Sequence, residues 1–187
     1  VIFAVWRPNF SILGSILFGG LLIAYNYIPN LSFEQVELIN GEHSTREVVH
    51  HNGGVCVVPV DDEGNIYMVK QFRYPFKTVL LEVPAGKLEK GEDHRICGIR
   101  ELKEEIGAEA EKIEYLGCVY PTVAYDTEII HMYMATGLTF GEQSLDDDEF
   151  IDVVKMPLQK AYEMVMANEI PDAKSQTAIL KAYLLTR

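Results

Sequence analysis

The sequence predicts an α/β domain in which a mixed sheet is covered by helices, not a doubly wound one, and three observations carry that reading. Short β-branched and aromatic runs recur between turn residues, three later segments show helical spacing, and strands come first with strands and helices mixed after them. The expected strands are Phe33–Leu38, Thr45–His50, Val55–Val60, Ile66–Gln71, Val79–Val83, Ile113–Tyr120, Ile129–Leu138 and Ile151–Met156. Asp61–Asn65 reads as a hairpin turn, because acidic residues with Gly and Asn supply the backbone angles a tight turn needs. A first helix is expected from Asp93 to Ile106, closed by Gly107. A second starts near Pro157 and carries Leu158, Ala161, Tyr162 and Val165 on one stripe. Pro171 opens a third, with Ala178, Ile179, Ala182, Tyr183 and Leu185 turned inward.

A chain of 187 residues suits one principal domain, expected over residues 31–187. Residues 1–30 differ in texture: Phe10–Ile28 is apolar and uncharged behind Arg7, just long enough to span a bilayer. Two readings of that segment stand, a membrane anchor or a buried segment at an ill-defined start. The 16 Lys and Arg against 28 Asp and Glu give a net charge of −12, a field that repels phosphate backbones. No basic stretch interleaved with aromatics appears either, so nucleic acid is excluded as a partner. Cys56, Cys97 and Cys118 fit neither a disulfide framework nor a zinc motif and are expected to be small core residues in a reducing cytoplasm. His43, His50, His51, His94 and His131 lack metal-ligand spacing, and Asp146–Glu149 reads as a solvated turn before a strand.

The informative stretch is Gly86 to Gly107. On a helix, Glu101, Glu104 and Glu105 fall on neighbouring positions of one face. Like charges so placed repel, so a positive partner is expected to offset them. Hard carboxylate oxygens of this kind suit Mg²⁺ or Mn²⁺, ions that also bridge to substrate phosphates. Gly86, Glu92, Arg100, Glu101, Glu104, Glu105 and Gly107 stand at the seven charged and glycine positions of the Nudix box, which this segment resembles; only Ala108 departs, where a bulkier aliphatic is usual. A chance match of that extent has a probability on the order of 10⁻⁵ or less.

The resemblance implies a Nudix fold, a mixed β-sheet sandwiched between helices (α/β/α), and a metal-dependent pyrophosphatase. It assigns Glu101, Glu104, Glu105 and the Ala85 carbonyl to the metal shell, with Gly86, Glu92 and Arg100 supporting them. The segments Lys70–Pro75, Leu81–Gly86 and Asp172–Thr177 narrow the resemblance to the ADP-ribose and ADP-sugar pyrophosphatase subgroup. There Arg73 would contact a phosphate and Glu82 would face the substrate or support the metals, although a surface Arg and a cross-strand ion pair read the same residues without function. Glu128, in the loop Pro121–Glu128, competes with the helix glutamates for the role of general base. That loop lacks the subgroup's second Pro and its Gly but keeps an aromatic, Tyr125, able to stack on a base. The expected reaction is hydrolysis of ADP-ribose or a related ADP-sugar to AMP and a sugar phosphate. The alternatives are another nucleotide sugar or dinucleotide, or a binding module without chemistry. Subgroup members are usually homodimers, which the resemblance extends to Phe33–His50 as the segment reaching a partner.

Overall fold

The computed structural model describes residues 30–145 and 150–187. The expectations for the apolar N-terminal segment, and for Asp146–Glu149 as a solvated turn, therefore lie outside the described residues. Among those described, no helix is long and apolar enough to cross a membrane. Within the expected span 31–187 the chain divides into two compact units: one reaches His51 and takes in Ala124–Thr127, the other comprises Asn52–Val123 and Glu128–Arg187.

The smaller unit is an antiparallel ribbon of β1 (Leu31–Glu37) and β2 (His43–Val49), paired from Leu31 with Val49 to Glu37 with His43. The Val49 amide donates to the Tyr125 carbonyl at 2.6 Å, and Thr127 donates back to Val49 at 2.9 Å, which fixes the short return segment. Phe33 is 66% exposed on this ribbon.

The larger unit holds β3 (Gly54–Pro59), β4 (Asn65–Arg73), β5 (Thr78–Glu82), β6 (Ala85–Lys87), α1 (His94–Ile106), β7 (Ala108–Val119), β8 (Ile130–Phe140), β9 (Asp152–Pro157), α2 (Leu158–Met166) and α3 (Ala173–Leu185). These strands form two sheets. One has the order β6-β3-β8-β7, with β3 and β8 parallel and the other pairs antiparallel; the second, β5-β4-β9, is antiparallel throughout.

Why β3 is buried along its whole length follows from what covers each face. Side chains alternate across a strand. Val55 and Val57 pack with Tyr133 and Ala135 of β8 against Cys97, Leu102 and Ile106 of α1. Cys56 and Val58 turn the other way, with Met132 and Met134, onto Ala178, Ile179 and Ala182 of α3. The result is a mixed sheet with helices on both faces, as the α/β/α expectation has it. Each fully buried Val, Leu, Ile or Met contributes about 1.5–3 kcal/mol.

Several details differ from the sequence reading. β6 was not expected: three residues that include a glycine have no strand periodicity, and only pairing with Gly54–Cys56 makes them a strand. β7 begins at Ala108, five residues before Ile113, because Leu138–Phe140 of β8 pair with a charged stretch of weak intrinsic preference. The ladder skips Leu116 between Tyr115 and Gly117, a bulge that re-phases the strand and leaves Cys118 exposed, which corrects its expected place in the core. Cys56 and Cys97 are buried, and burial pushes both thiols up to about 12.

Asp93 caps α1, its carboxylate accepting from the Arg95 and Ile96 amides at 2.9 and 3.1 Å. Gly107 ends it at φ 65°, where a Cβ would lie 2.5 Å from the Gly141 carbonyl oxygen. The helix thus stops at a residue that only glycine satisfies, one position past the last glutamate turn.

Candidate active site

A cavity of about 610 Å³ opens in the larger unit. One wall is α1 with β6 beneath it, contributing Ala85, Gly86, Arg100, Glu101 and Glu104. The facing residues are Arg73, Glu82, Asp172 and Lys174, and Glu128, Pro121 and Phe76 complete the rim.

The acidic wall is organised by Arg100. Its Nη1 donates to Glu101 Oε1 at 2.8 Å and to Glu104 Oε2 at 2.9 Å, while Nε donates to Glu92 Oε1 at 3.2 Å. One guanidinium thereby offsets the repulsion among three carboxylates. The bond to Glu92, then the Glu101 charge, lift the Arg100 guanidinium above its ordinary value, and the same bond holds the Glu92 carboxyl below the usual range. Glu92 also accepts from the Glu89 amide at 2.9 Å, which ties the loop ahead of α1 to its second turn.

Glu105 points inward and is 2% exposed, accepting from the Ala85 amide at 3.0 Å. Gly86 sits beside it, and a Cβ at that position would overlap the Glu101 carboxylate. Residue 86 must therefore be glycine for a helix carboxylate to lie against the main chain of β6.

Divalent ions, which the family resemblance implies, can be weighed against these donors. Hard oxygens suit Mg²⁺ or Mn²⁺; Ala85, Glu101 and Glu104 line one wall of the cavity, and Glu105, which does not line it, adds a buried carboxylate bonded to the Ala85 amide. The glycine cradle under Glu101 is a feature that a purely solvated acidic face would not need. Among the described residues no three His, Cys, Asp or Glu side chains are gathered about a single point; Arg100 and the Ala85 amide hold the carboxylates instead. Six carboxylates and four cationic side chains line the cavity, a net of −2, so a diphosphate could enter only with added positive charge. The donor set fits divalent metal.

The facing wall is a network of charges around the buried Glu82. Arg73, the last residue of β4, makes a two-pronged bond to Glu82 at the end of β5, with Nε to Oε1 and Nη2 to Oε2 both at 2.7 Å. Lys174 of α3 donates to the same Glu82 Oε2 and, at 3.0 Å, to Asp172 Oδ2. Burial alone would raise the Glu82 carboxyl, but the Arg73 hydrogen bond and the Lys174 charge outweigh it and hold it below the ordinary range. Asp172 caps α3 by accepting from the Ser175 amide at 2.9 Å, and Ser175 Oγ in turn accepts from the Val83 amide at 2.9 Å. In the sequence Lys174 and Asp172 stand out only as part of the segment Asp172–Thr177. Their place here was missed because residues 73, 82 and 174 meet through the fold, and no local spacing announces it.

Glu128 lines the cavity just ahead of β8. Tyr125 belongs to the smaller unit and is 56% exposed. His94 and His131 stack at 3.8 Å between ring centroids, with Tyr115 Oη and His131 Nδ1 3.0 Å apart, a ring cluster that does not line the cavity.

A helix-covered mixed sheet with an acidic helix and a glycine turn on one cavity wall defines a class of phosphoanhydride hydrolases. The match to the NUDIX domain model over residues 50–178 gives that class its name, and the chain belongs to the NUDIX domain family. It is 44% identical over 154 residues to an ADP-ribose pyrophosphatase of Bacillus subtilis (strain 168), covering 81% of this chain and 83% of that one. A methanol dehydrogenase activator of Bacillus methanolicus is 42% identical over the same shares of both chains. Among solved structures, the crystal structure of an ADP compounds hydrolase superposes with a TM-score of 0.75 at 20% identity, over 83% of this chain and 84% of that one, a likeness of fold.

Proposed function

We propose that the chain hydrolyses the pyrophosphate bond of ADP-ribose or a related ADP-sugar, giving AMP and a sugar phosphate. The observation that carries this reading is one cavity with a carboxylate wall on α1 and the Arg73–Glu82–Lys174 network opposite it. The ADP-ribose pyrophosphatase relative aligns over about four fifths of its length, which favours a substrate of the same class.

Water adds to one phosphorus, the bond from that phosphorus to the bridging oxygen breaks, and the other phosphate leaves with the electron pair. Glu101, Glu104 and Glu105 with the Ala85 carbonyl would hold Mg²⁺, or Mn²⁺ in its place. When bound, such ions neutralise phosphate charge and acidify water. Arg100 keeps Glu101 and Glu104 in register through its two bonds, and Glu92 anchors Arg100 from behind. Arg73 presents the Nη1 edge of its guanidinium to a phosphate while Glu82 holds the other edge. Glu128, which lines the cavity, receives the proton of the attacking water. The β1–β2 ribbon, with its exposed Phe33, is the segment proposed to pair with a second copy.

The test is product analysis of ADP-ribose, GDP-sugars and dinucleotides incubated with the chain and Mg²⁺ or Mn²⁺. AMP and ribose phosphate in equal amounts from ADP-ribose, at higher kcat/KM than from the others, is the expected outcome. Tight ADP-ribose binding with no turnover at any metal concentration would replace the reading with a non-catalytic module.

A further inference from the structure

Lys174 enters the cavity from the first turn of α3 with a side chain only 11% exposed. Burying an ammonium is costly by several kcal/mol, and it persists only where carboxylates repay it. Two do so here, Glu82 and Asp172. A plain structural tie between α3 and β5 would not need the charge. Ser175 Oγ already makes that tie, donating to Asp172 at 2.6 Å and accepting from the Val83 amide at 2.9 Å, and a buried apolar side chain in place of Lys174 would cost less.

What the charge adds is visible at Glu82. Oε1 accepts from Arg73 Nε, and Oε2 accepts from both Arg73 Nη2 and Lys174 Nζ. Glu82 is 1% exposed, so its carboxylate plane is set by these bonds alone among the polar contacts described. Because the Arg73 fork is planar, fixing that plane also fixes the guanidinium. The order of dependence runs from Lys174 to Glu82 to Arg73.

We propose that Lys174 is a positioning residue for phosphate binding: it pins Glu82, and through Glu82 it aims the free edge of Arg73 at the diphosphate. This rests on the phosphate-binding assignment of Arg73 made above. Lys174 itself touches no reacting atom. Its loss therefore weakens binding of substrate and transition state alike, a change in KM and not in kcat.

The experiment is a double-mutant cycle of Lys174→Met, which keeps the stem and removes the charge, with Arg73→Gln. On the wild-type background K174M should raise KM for ADP-ribose about tenfold and leave kcat within about twofold. On the R73Q background it should change KM by less than about twofold, since nothing remains to be aimed. An equal rise on both backgrounds, or no rise on either, overturns the proposal. Should K174M fail to fold, K174Q takes its place in the same cycle and is judged by the same outcomes.

A second readout does not depend on turnover. The Arg73 Nε–H resonance in a ¹⁵N spectrum should be sharp in the wild type, sharp in K174R and exchange-broadened in K174M. An equally sharp signal in K174M refutes the positioning role. If the chain hydrolyses no nucleotide sugar, the proposed function fails while this spectrum still decides whether Lys174 holds Arg73 in place through Glu82.

Discussion

The two walls of the cavity are built in opposite ways. The carboxylate wall is local: residues 85–105 supply the glycine cradle, the helix glutamates and the arginine that spaces them. The facing wall is assembled from the ends of β4 and β5 and from the start of α3, about ninety residues further along the chain. The difference teaches where a function is written. The local wall needs one capped helix and the pairing of β6 with β3, whereas the distributed wall exists only once the second sheet and α3 have docked.

The largest effect should come from the local wall. Glu105→Gln removes the charge of a proposed metal ligand but keeps an oxygen able to accept from the Ala85 amide, so the fold should survive while kcat falls by at least about a hundredfold. A steady-state assay with far-UV circular dichroism checks both halves. Gly86→Ala should follow with a loss of about ten- to a hundredfold, because its Cβ displaces the Glu101 carboxylate; normal activity in G86A would show that the cradle is incidental.

Gly107→Ala tests stability at the far end of the same helix. The left-handed φ and the crowding against Gly141 should cost about 1–3 kcal/mol in denaturant unfolding, with kcat little changed in the folded fraction.

The distributed wall should answer to acid. Glu82 has its folded-state carboxyl held below the ordinary value of 4.5, so its stabilisation is complete above that value and is lost as pH falls through the lowered one. The stability gap between wild type and Glu82→Gln should therefore narrow below about pH 4, and a gap constant down to pH 3 would mean the network holds no ionised glutamate. The smallest effect belongs to the thiols. Near neutral pH Cys118 should react with a thiol reagent at once, while Cys56 and Cys97 wait for unfolding.

The same contrast explains what could be read from the chain before its structure. Arg100 and the three helix glutamates lie on one helix, whose geometry places them at neighbouring positions without tertiary knowledge, and Gly86 and Glu92 stand a short fixed distance ahead of it in the chain. The buried run Val55–Val58 announced a central strand for a similar reason, since both its faces are apolar. Lys174 and Asp172 left no such trace: a Lys near a helix start is ordinary, and only the meeting of α3 with β5 gives it two carboxylates. β6 and the early start of β7 went unread because pairing partners, not their own residues, make them strands. Cys118 was misplaced because one skipped residue at Leu116 reverses the facing of all that follows.

The proposed chemistry requires the acidic face of α1 to hold a divalent cation. Manganese titration followed by electron paramagnetic resonance measures this directly, with magnesium as competitor. The wild type should bind Mn²⁺ and release it to Mg²⁺, and E105Q should bind at least about tenfold more weakly. E105Q binding Mn²⁺ as tightly as the wild type, or a wild type that turns over substrate in the presence of a chelator, would contradict it.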